Sequence, residues 1–432
     1  MDRLNDFTNI NAQTIVRAAE RFGTPQYLYD ESLVRERCRE FLDMPNAFGH
    51  TVRYAMKANP NRSLLKIING MGLHIDASSL NEVLRALAAG VPCGNIMLTT
   101  QEVYTGGEMG KIRDLLPRGM KYNVCSLRQL HEIGDFAAEY SIKLGIRVHP
   151  GAGSGESATR NTGDDYSCFG VHKKDWPKAL SYAQRRGIKF THVHVHIGSG
   201  GDPEMWRQNI DTELAIIEEY FPDAVSVGFG GGFREARMPD EKAADPVALV
   251  RYATERIEDF YRRTGRKLHM EIEPGTYIVA NSGYIVTRVL DKKSTGEFNF
   301  IINDGGMELN ARPLMYGSRH PIYIVSTDGE LLSSEFSNGK NCDYETVVAG
   351  KCCESSDMQT LDKSGMVYAR KMTQPEIGDL CVICGVGAYC SSMSPFNYNS
   401  HVQAPEVLCT ESGELRLIRR RQTTEQMMEN EV

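Results

Sequence analysis

Short runs rich in β-branched residues alternate along the first two thirds of the chain with stretches whose apolar positions recur every three or four residues. The apolar runs are TVRYAMKAN (51–59), GLHIDAS (72–78), NIMLTT (95–100), YNVCS (122–126), LGIRVHPG (144–151), THVHVHIG (191–198), AVSVGFGGG (224–232) and HMEIEPG (269–275). Runs of this length and composition predict strands. Between them, SLNEVLRALAAG (79–90) places Leu80, Val83, Leu84 and Leu87 at helical spacing, with Gly90 as the stop. DPEMWRQNIDTELAIIEEYF (202–221) opens on an Asp cap followed by Pro, a helix start. Eight strand–helix units over roughly 225 residues match a (β/α)8 barrel in count and length. A doubly wound sheet is the competing arrangement. Polar residues at the strand C-terminal ends favour the barrel, because there they converge on one face: Lys57, Asp76, His149, His196, Gly230–Gly232 and Glu273.

After about residue 285 the rhythm changes to GYIVTRVLDKK, EFNFIIND, HPIYIVST, YETVVAG, GDLCVICGV and ELRLIRR, with turns and few helices, which predicts an all-β domain. The expected division is a barrel over 35–285 and a β domain built from 1–34 and 286–432. The Gly-, Ser- and Asp-rich stretch 151–167 reads as a long mobile loop after the fifth strand, and long loops at that face are often lids.

Composition narrows the function classes. Lys and Arg number 49 against 56 Asp and Glu, a net charge of −7, which argues against a nucleic-acid footprint. No window of about 18 apolar residues exists to span a membrane. The polar opening MDRLNDFTNINAQ is no signal peptide. The 11 cysteines are odd in number and lack framework spacing, so they read as reduced thiols of a cytoplasmic protein. Cys381 and Cys384 lie three apart in a strand-like run, on opposite faces, and read as buried thiols rather than a zinc knuckle.

Lys57 ends the first barrel strand. A lysine within an apolar strand is costly unless used, and buried lysines form Schiff bases; the competing reading is a lysine emerging into solvent. The glycines of GFGGG after strand seven can wrap a phosphate with backbone amides, or simply turn. Glu273 at the end of strand eight can hold a ring-nitrogen proton, or make a strand-end ion pair. His192, His194 and His196 share one face of strand six, which raises a metal-hydrolase alternative; no late Asp cluster accompanies them. Singly these signals are weak. Together, a lysine, a phosphate loop and a carboxylate are what pyridoxal phosphate asks of a protein.

From about 25 to about 410 the chain resembles the fold-type III pyridoxal-phosphate decarboxylases, most of all those acting on diaminopimelate. YAMKAN resembles the Schiff-base lysine motif (Lys57), and DASSLNEV the second-strand motif (Asp76, with Ser79 and Glu82). HIGSG is similar to the motif whose histidine stacks on the cofactor ring (His196), with Ser199 near the phosphate. GFGGGF resembles the phosphate loop, Gly230, Gly231 and Gly232. EIEPG implies Glu273 as the pyridinium partner and Gly275 near the phosphate. NDGGMELNARPLMY implies Arg312 and Tyr316 as substrate residues, and CCESSD implies Cys353 and Glu354. GAY implies Tyr389 at the phosphate, and NYNS implies Tyr398 and Asn399.

The resemblance implies pyridoxal 5'-phosphate as cofactor and no metal. It implies a homodimer whose Cys–Glu motif reaches the partner's site, with Cys353 the proton donor. It also implies decarboxylation of meso-diaminopimelate to L-lysine, with Glu354 on the distal ammonium and Arg312 and Tyr316 on the distal carboxylate. The chain departs from the family where Thr276 replaces the arginine of Glu-Pro-Gly-Arg, half of a two-arginine clamp. Cys168 replaces the lysine of Lys-Phe-Gly, and His401 stands where an arginine is usual. Arg319 is one candidate replacement for the lost arginine. The departures keep open another diamino or basic amino acid (ornithine, arginine, lysine or a D-amino acid) as substrate. A catalytically silent, partner-binding homologue is a further alternative.

Overall fold

The computed structural model describes residues 10–151, 162–163, 166–198, 202–334 and 344–432. The lid expectation therefore falls largely outside the described residues, as does Ser199. The chain divides into two compact units, Cys38–Arg234 with Lys242–Tyr277, and Met1–Arg37 with Glu235–Glu241 and Ile278–Val432. Among the described residues no helix is long and apolar enough to cross a membrane.

The N-terminal strand β1 (Gln26–Asp30) belongs to the second unit. The first unit is a closed barrel of β2 (His50–Ala55), β3 (His74–Ala77), β4 (Ile96–Thr99), β5 (Lys121–Val124), β6 (Leu144–Arg147), β7 (Phe190–His194), β8 (Ser226–Gly228) and β9 (His269–Ile272). All neighbours pair in parallel, and β9 closes on β2 through His50↔Met270 to Val52↔Ile272. Each of the eight apolar runs holds one of these strands, so the barrel prevails over the doubly wound sheet. Helices form where local chemistry favours them. Ser79 caps Leu80–Ala88 by accepting from the Glu82 amide at 3.1 Å, and the Glu82 carboxylate accepts from the Ser78 amide at 2.7 Å. The helix Pro203–Tyr220 starts on the Asp202 cap with Pro in its first turn. Ser79 and Glu82 thus serve the helix start.

The barrel lumen is polar. Side chains on β2, β5 and β9 meet across it: Arg53 Nε pairs with Glu271 Oε2, and Lys121 Nζ lies 2.8 Å from Glu271 Oε1. Val52, Tyr54 and Val193, at the intervening strand positions, are buried. Most barrels fill this space with branched apolar residues.

The second unit is one sheet of ten described strands. The remaining strands are β10 (Gly283–Ser294), β11 (Asn299–Asn303), β12 (Ile322–Val325), β13 (Leu331–Ser334), β14 (Tyr344–Ala349), β15 (Arg370–Met372), β16 (Leu380–Cys384), β17 (Glu406–Cys409) and β18 (Leu415–Arg419). The order is β13-β12-β16-β10-β1-β17-β18, with β11 joining β10 to β14 and β15 beyond. Strand β1 pairs antiparallel with β10 and parallel with β17. Its core includes Ile15, Leu28, Tyr284, Val286, Tyr323, Val382 and Val407. Cys381 and Cys384 are buried free thiols on β16.

Candidate active site

The C-terminal ends of the barrel strands gather the chemistry. Lys57 sits in the single turn Met56–Ala58 just past β2, and it is exposed. Of the two readings of Lys57, the one in which it emerges at the strand end therefore holds: the strand ends at Ala55 and the turn lifts the lysine to the rim. Its charge still acts on Asp76, Glu82, Glu273, His194 and His196.

Two carboxyls lie beneath that charge. Asp76 at the end of β3 is 5% exposed, Glu273 just past β9 is 7% exposed, and one oxygen of each (Asp76 Oδ1, Glu273 Oε1) has no hydrogen-bond partner. Burial pushes both upward, Glu273 to about 7, against the opposing charges of Lys57 and Arg53 on both and of Arg147 on Glu273. Each carboxylate also raises the other's cost of ionising, as two like charges in one low-dielectric site must. An orphaned, buried carboxylate oxygen is what a ring N–H would satisfy. Glu273 Oε2 is held by His194 Nε2 at 3.0 Å. Burial, then Arg147, keeps His194 well below the usual imidazole range, so the ring is neutral, and its Nε2–H is the donor whenever the Glu273 carboxyl is ionised.

The three strand-six histidines therefore separate. His192 Nδ1 pairs with Ser226 Oγ at 2.8 Å, and burial lowers its pKa to about 3. His194 orients Glu273. His196 lies past the end of β7 and accepts the Gly231 amide on Nδ1 at 3.2 Å. These separate partners give the histidine row no shared ligand geometry. Among the described residues, a buried Glu308–Cys352–Asp357 group is the His/Cys/Asp/Glu cluster close enough to ligate a metal.

The glycine run needs its glycines. Gly230 has φ +67, and a Cβ there would lie 2.7 Å from both His196 Nδ1 and the Val195 carbonyl. At Gly231 it would lie 2.6 Å from the Glu273 carbonyl oxygen. Gly232 has φ +106, and Gly275 sits against Ala55. The run thus forms a tight cradle with space for backbone rather than side chains. Trp206 pins it from below, its indole N–H donating to the Gly231 carbonyl at 3.2 Å. One cradle amide, that of Gly231, is already spent on His196. Sequence reasoning missed Trp206 and Arg147, and it named His194 without its part in holding Glu273. Arg147 ends β6, is 8% exposed, and stacks 4.8 Å from the Phe169 ring. Its position at a strand end was the available signal.

In the β unit, Arg312 opens the short helix Arg312–Tyr316 and is 3% exposed. Its Nη2 donates to Ser318 Oγ at 3.3 Å, its Nε has no partner, and its guanidinium carbon lies 5.6 Å from the Tyr316 ring centroid. Tyr389 is partly buried and takes a left-handed backbone conformation, φ +58. Cys353 is exposed, and its amide donates to Asn399 Oδ1 at 2.7 Å. Tyr398 Oη donates to Glu354 Oε2 at 3.3 Å, and Ser356 holds the Glu354 carboxyl below its usual range. Tyr398 and Asn399 thus brace the Cys353–Glu354 pair. Asp357 stiffens the same loop by accepting the amides of Met307 and Cys352 at 2.6 and 2.7 Å. Arg319 is not a free replacement for the arginine absent at Thr276: its Nη2 donates to both Asp240 oxygens at 2.7 Å.

The comparisons with known proteins agree on one family. Residues 32–280 match the pyridoxal binding domain of pyridoxal-dependent decarboxylases. The chain is 33% identical to the diaminopimelate decarboxylase of Escherichia coli over 424 residues, 98% of this chain and 97% of that one. It is 31% identical to that of Streptomyces coelicolor, covering 98% and 92%. A crystal structure of a diaminopimelate decarboxylase superposes with a TM-score of 0.88 at 32% identity, over 99% of both chains. That of the Helicobacter pylori enzyme complexed with L-lysine gives 0.79 at 26% identity, over 96% and 98%.

Proposed function

The chain belongs to the pyridoxal-dependent decarboxylase family, and from that premise we propose that it converts meso-diaminopimelate to L-lysine and CO2. It is a carboxy-lyase that uses pyridoxal 5'-phosphate. The observation that carries the reading is the barrel rim, where Lys57, the orphaned oxygens of Asp76 and Glu273, and a cradle closed to any Cβ stand together. These residues fit the cofactor. Lys57 would hold its aldehyde carbon, the 230–232 cradle with Gly275 and Tyr389 its phosphate, and Glu273 its ring nitrogen. The bound cofactor supplies an electron sink for the pair left behind when CO2 departs.

The chain's own groups do the rest. Glu273, steered by His194, keeps a negative charge aimed at the ring nitrogen, and a cation there offsets the desolvation that pushes this carboxyl upward. Asp76 stands beside it, its carboxyl pushed upward by burial and by Glu273, and a cation in the site would offset that cost as well. His196, neutral and tied to Gly231, offers a flat face for stacking. Cys353 delivers a proton to the carbon that lost CO2. Glu354, held ionised by Ser356, takes the distal ammonium, and Arg312 with Tyr316 takes the distal carboxylate. The exposure of Cys353, beside a half-buried Glu354, supports a homodimer in which each copy lends this pair to the other. Ten described cysteines are free thiols, which supports a cytoplasmic location.

The test offers cofactor-loaded protein meso-diaminopimelate beside ornithine, lysine and arginine in both enantiomers. Lysine formed from diaminopimelate alone is the expected outcome. Faster turnover of another amino acid would overturn the substrate assignment and leave the chemistry standing.

A further inference from the structure

The chain leaves the barrel unit for seven residues, Glu235–Glu241, and returns. This excursion is pinned at both ends within the β unit. Glu235 accepts from Asn281 Nδ2 at 2.7 Å and meets Arg37 at 3.4 Å, while both Asp240 oxygens accept from Arg319 Nη2. Between the pins stands Arg237. Its amide donates to Glu241 Oε2 at 3.0 Å and its Nε to the Gly385 carbonyl at 2.8 Å. Its stem lies over Gly385, where φ is +70 and a Cβ would come within 3.0 Å of Arg237 Cγ and Cδ. A glycine is required there so that the arginine can lie down.

So precise a seat leaves the end of the side chain unused: Arg237 Nη2 is shielded from water and has no hydrogen-bond partner. Its neighbour is a like charge. Burial and Arg312 together lower the Arg237 guanidinium to about 9. Arg312 Nε is also unpartnered, and both cations act on the buried thiol Cys390 and on His320, which Arg370 faces as well. The nearby carboxylates are Glu241, which is spent on the Arg237 and Met238 amides, and Glu235, which is held by Asn281 and Arg37. Two guanidinium groups that repel each other, each with a shielded unpartnered nitrogen, form a receptor for an anion of planar, two-oxygen geometry.

We propose that Arg237 is the second arm of a carboxylate clamp with Arg312, gripping the distal carboxylate of the substrate. The proposal rests on the diaminopimelate reading. It also accounts for how the chain manages with Thr276 where the family resemblance implies an arginine.

The experiment compares wild type with Arg237→Gln and Arg237→Lys. Steady-state kinetics on meso-diaminopimelate are measured alongside calorimetric binding of pimelate, a dicarboxylate that cannot react. Losing one charge-assisted contact should raise KM, and weaken pimelate, by about 10- to 100-fold in Arg237→Gln with kcat within a few-fold. Arg237→Lys, which keeps the charge and loses the fork, should fall between. Should Arg237→Gln melt early, the lysine variant and its pimelate affinity decide. Unchanged KM and pimelate binding in a folded variant, or a fall in kcat alone, would overturn the clamp. A wild type inactive on diaminopimelate would instead overturn the reading beneath it. Pimelate binding that still depends on Arg237 would then preserve the carboxylate receptor.

Discussion

The ion pair at the heart of the barrel makes a sharp test of how this fold is held. Arg53 and Glu271 are both 0% exposed, and Glu271 spends one oxygen on Arg53 and the other on Lys121. Arg53 Nη1 and Nη2 have no hydrogen-bond partner, so Glu271 is the group that answers its charge directly. Replacing Glu271 with Leu leaves a guanidinium uncompensated in low dielectric. Breaking a buried pair from one side costs about 3–5 kcal/mol. Set against a domain stability of roughly 5–15 kcal/mol, that is a large share. For a unit of this size it should lower Tm by roughly 10 °C. Lys121, 45% exposed, can turn to water and adds little.

The double variant Arg53→Met with Glu271→Leu removes both charges and should regain most of the loss. Acid melts supply an independent check. Burial alone would raise the Glu271 carboxyl, but Arg53, His192 and Lys121 outweigh it and hold it well below its usual 4.5. A carboxyl depressed on folding contributes stability above that value and loses it as the pH falls toward the folded pKa. Wild type should therefore weaken below about pH 4.5 by a component absent from Glu271→Leu. Circular dichroism melts across pH read all of this. A single variant within about 1 kcal/mol of wild type, or a double variant worse than the single, would refute the reasoning.

Other expectations follow from the rim and the β unit. Lys57→Ala should abolish both turnover and the visible-edge absorbance of bound cofactor; a surviving band would remove Lys57 from its assigned role. Gly231→Ala forces a Cβ to within 2.6 Å of the Glu273 carbonyl oxygen and should weaken cofactor binding at least about tenfold by fluorescence titration. Cys353→Ala should cut kcat by about 10²–10⁴-fold with little change in KM. Mixed with Lys57→Ala it should recover about a quarter of wild-type activity if sites are shared between copies; no recovery would count against sharing. Glu273 is raised on folding to about 7, so in cofactor-free protein its contribution is complete below 4.5 and is lost as the pH rises through 7. Glu273→Gln should flatten that neutral-side decline in melts of the cofactor-free protein.

Much of this was legible in local sequence, and the reason is physical. Strand and helix periods are properties of neighbouring residues, so the eight apolar runs and the Asp202 cap could be read from composition and spacing. A glycine run is likewise its own signal, because only a missing side chain permits backbone to approach at Gly230 and Gly231. Period two placed His192, His194 and His196 on one face, which holds for His192 and His194 on β7, but it could not assign their work. Strand β7 ends at His194, and partners on β8, β9 and the glycine loop decide whether each ring serves structure, Glu273 or the cradle.

What only the tertiary structure decided are the charge pairings between residues far apart in the chain. The partner of Arg53 is 218 residues away, and that of Arg319 is 79 away. No local pattern records such a meeting, since either arginine reads as an ordinary exposed cation in sequence. Burial decides which charges must be answered, and burial is a property of the closed barrel and the assembled sheet rather than of any segment. For the same reason the exposure of Lys57, left open between two readings, was decided by the turn after β2, while Arg237, a commonplace residue in a polar stretch, holds a shielded guanidinium beside Arg312.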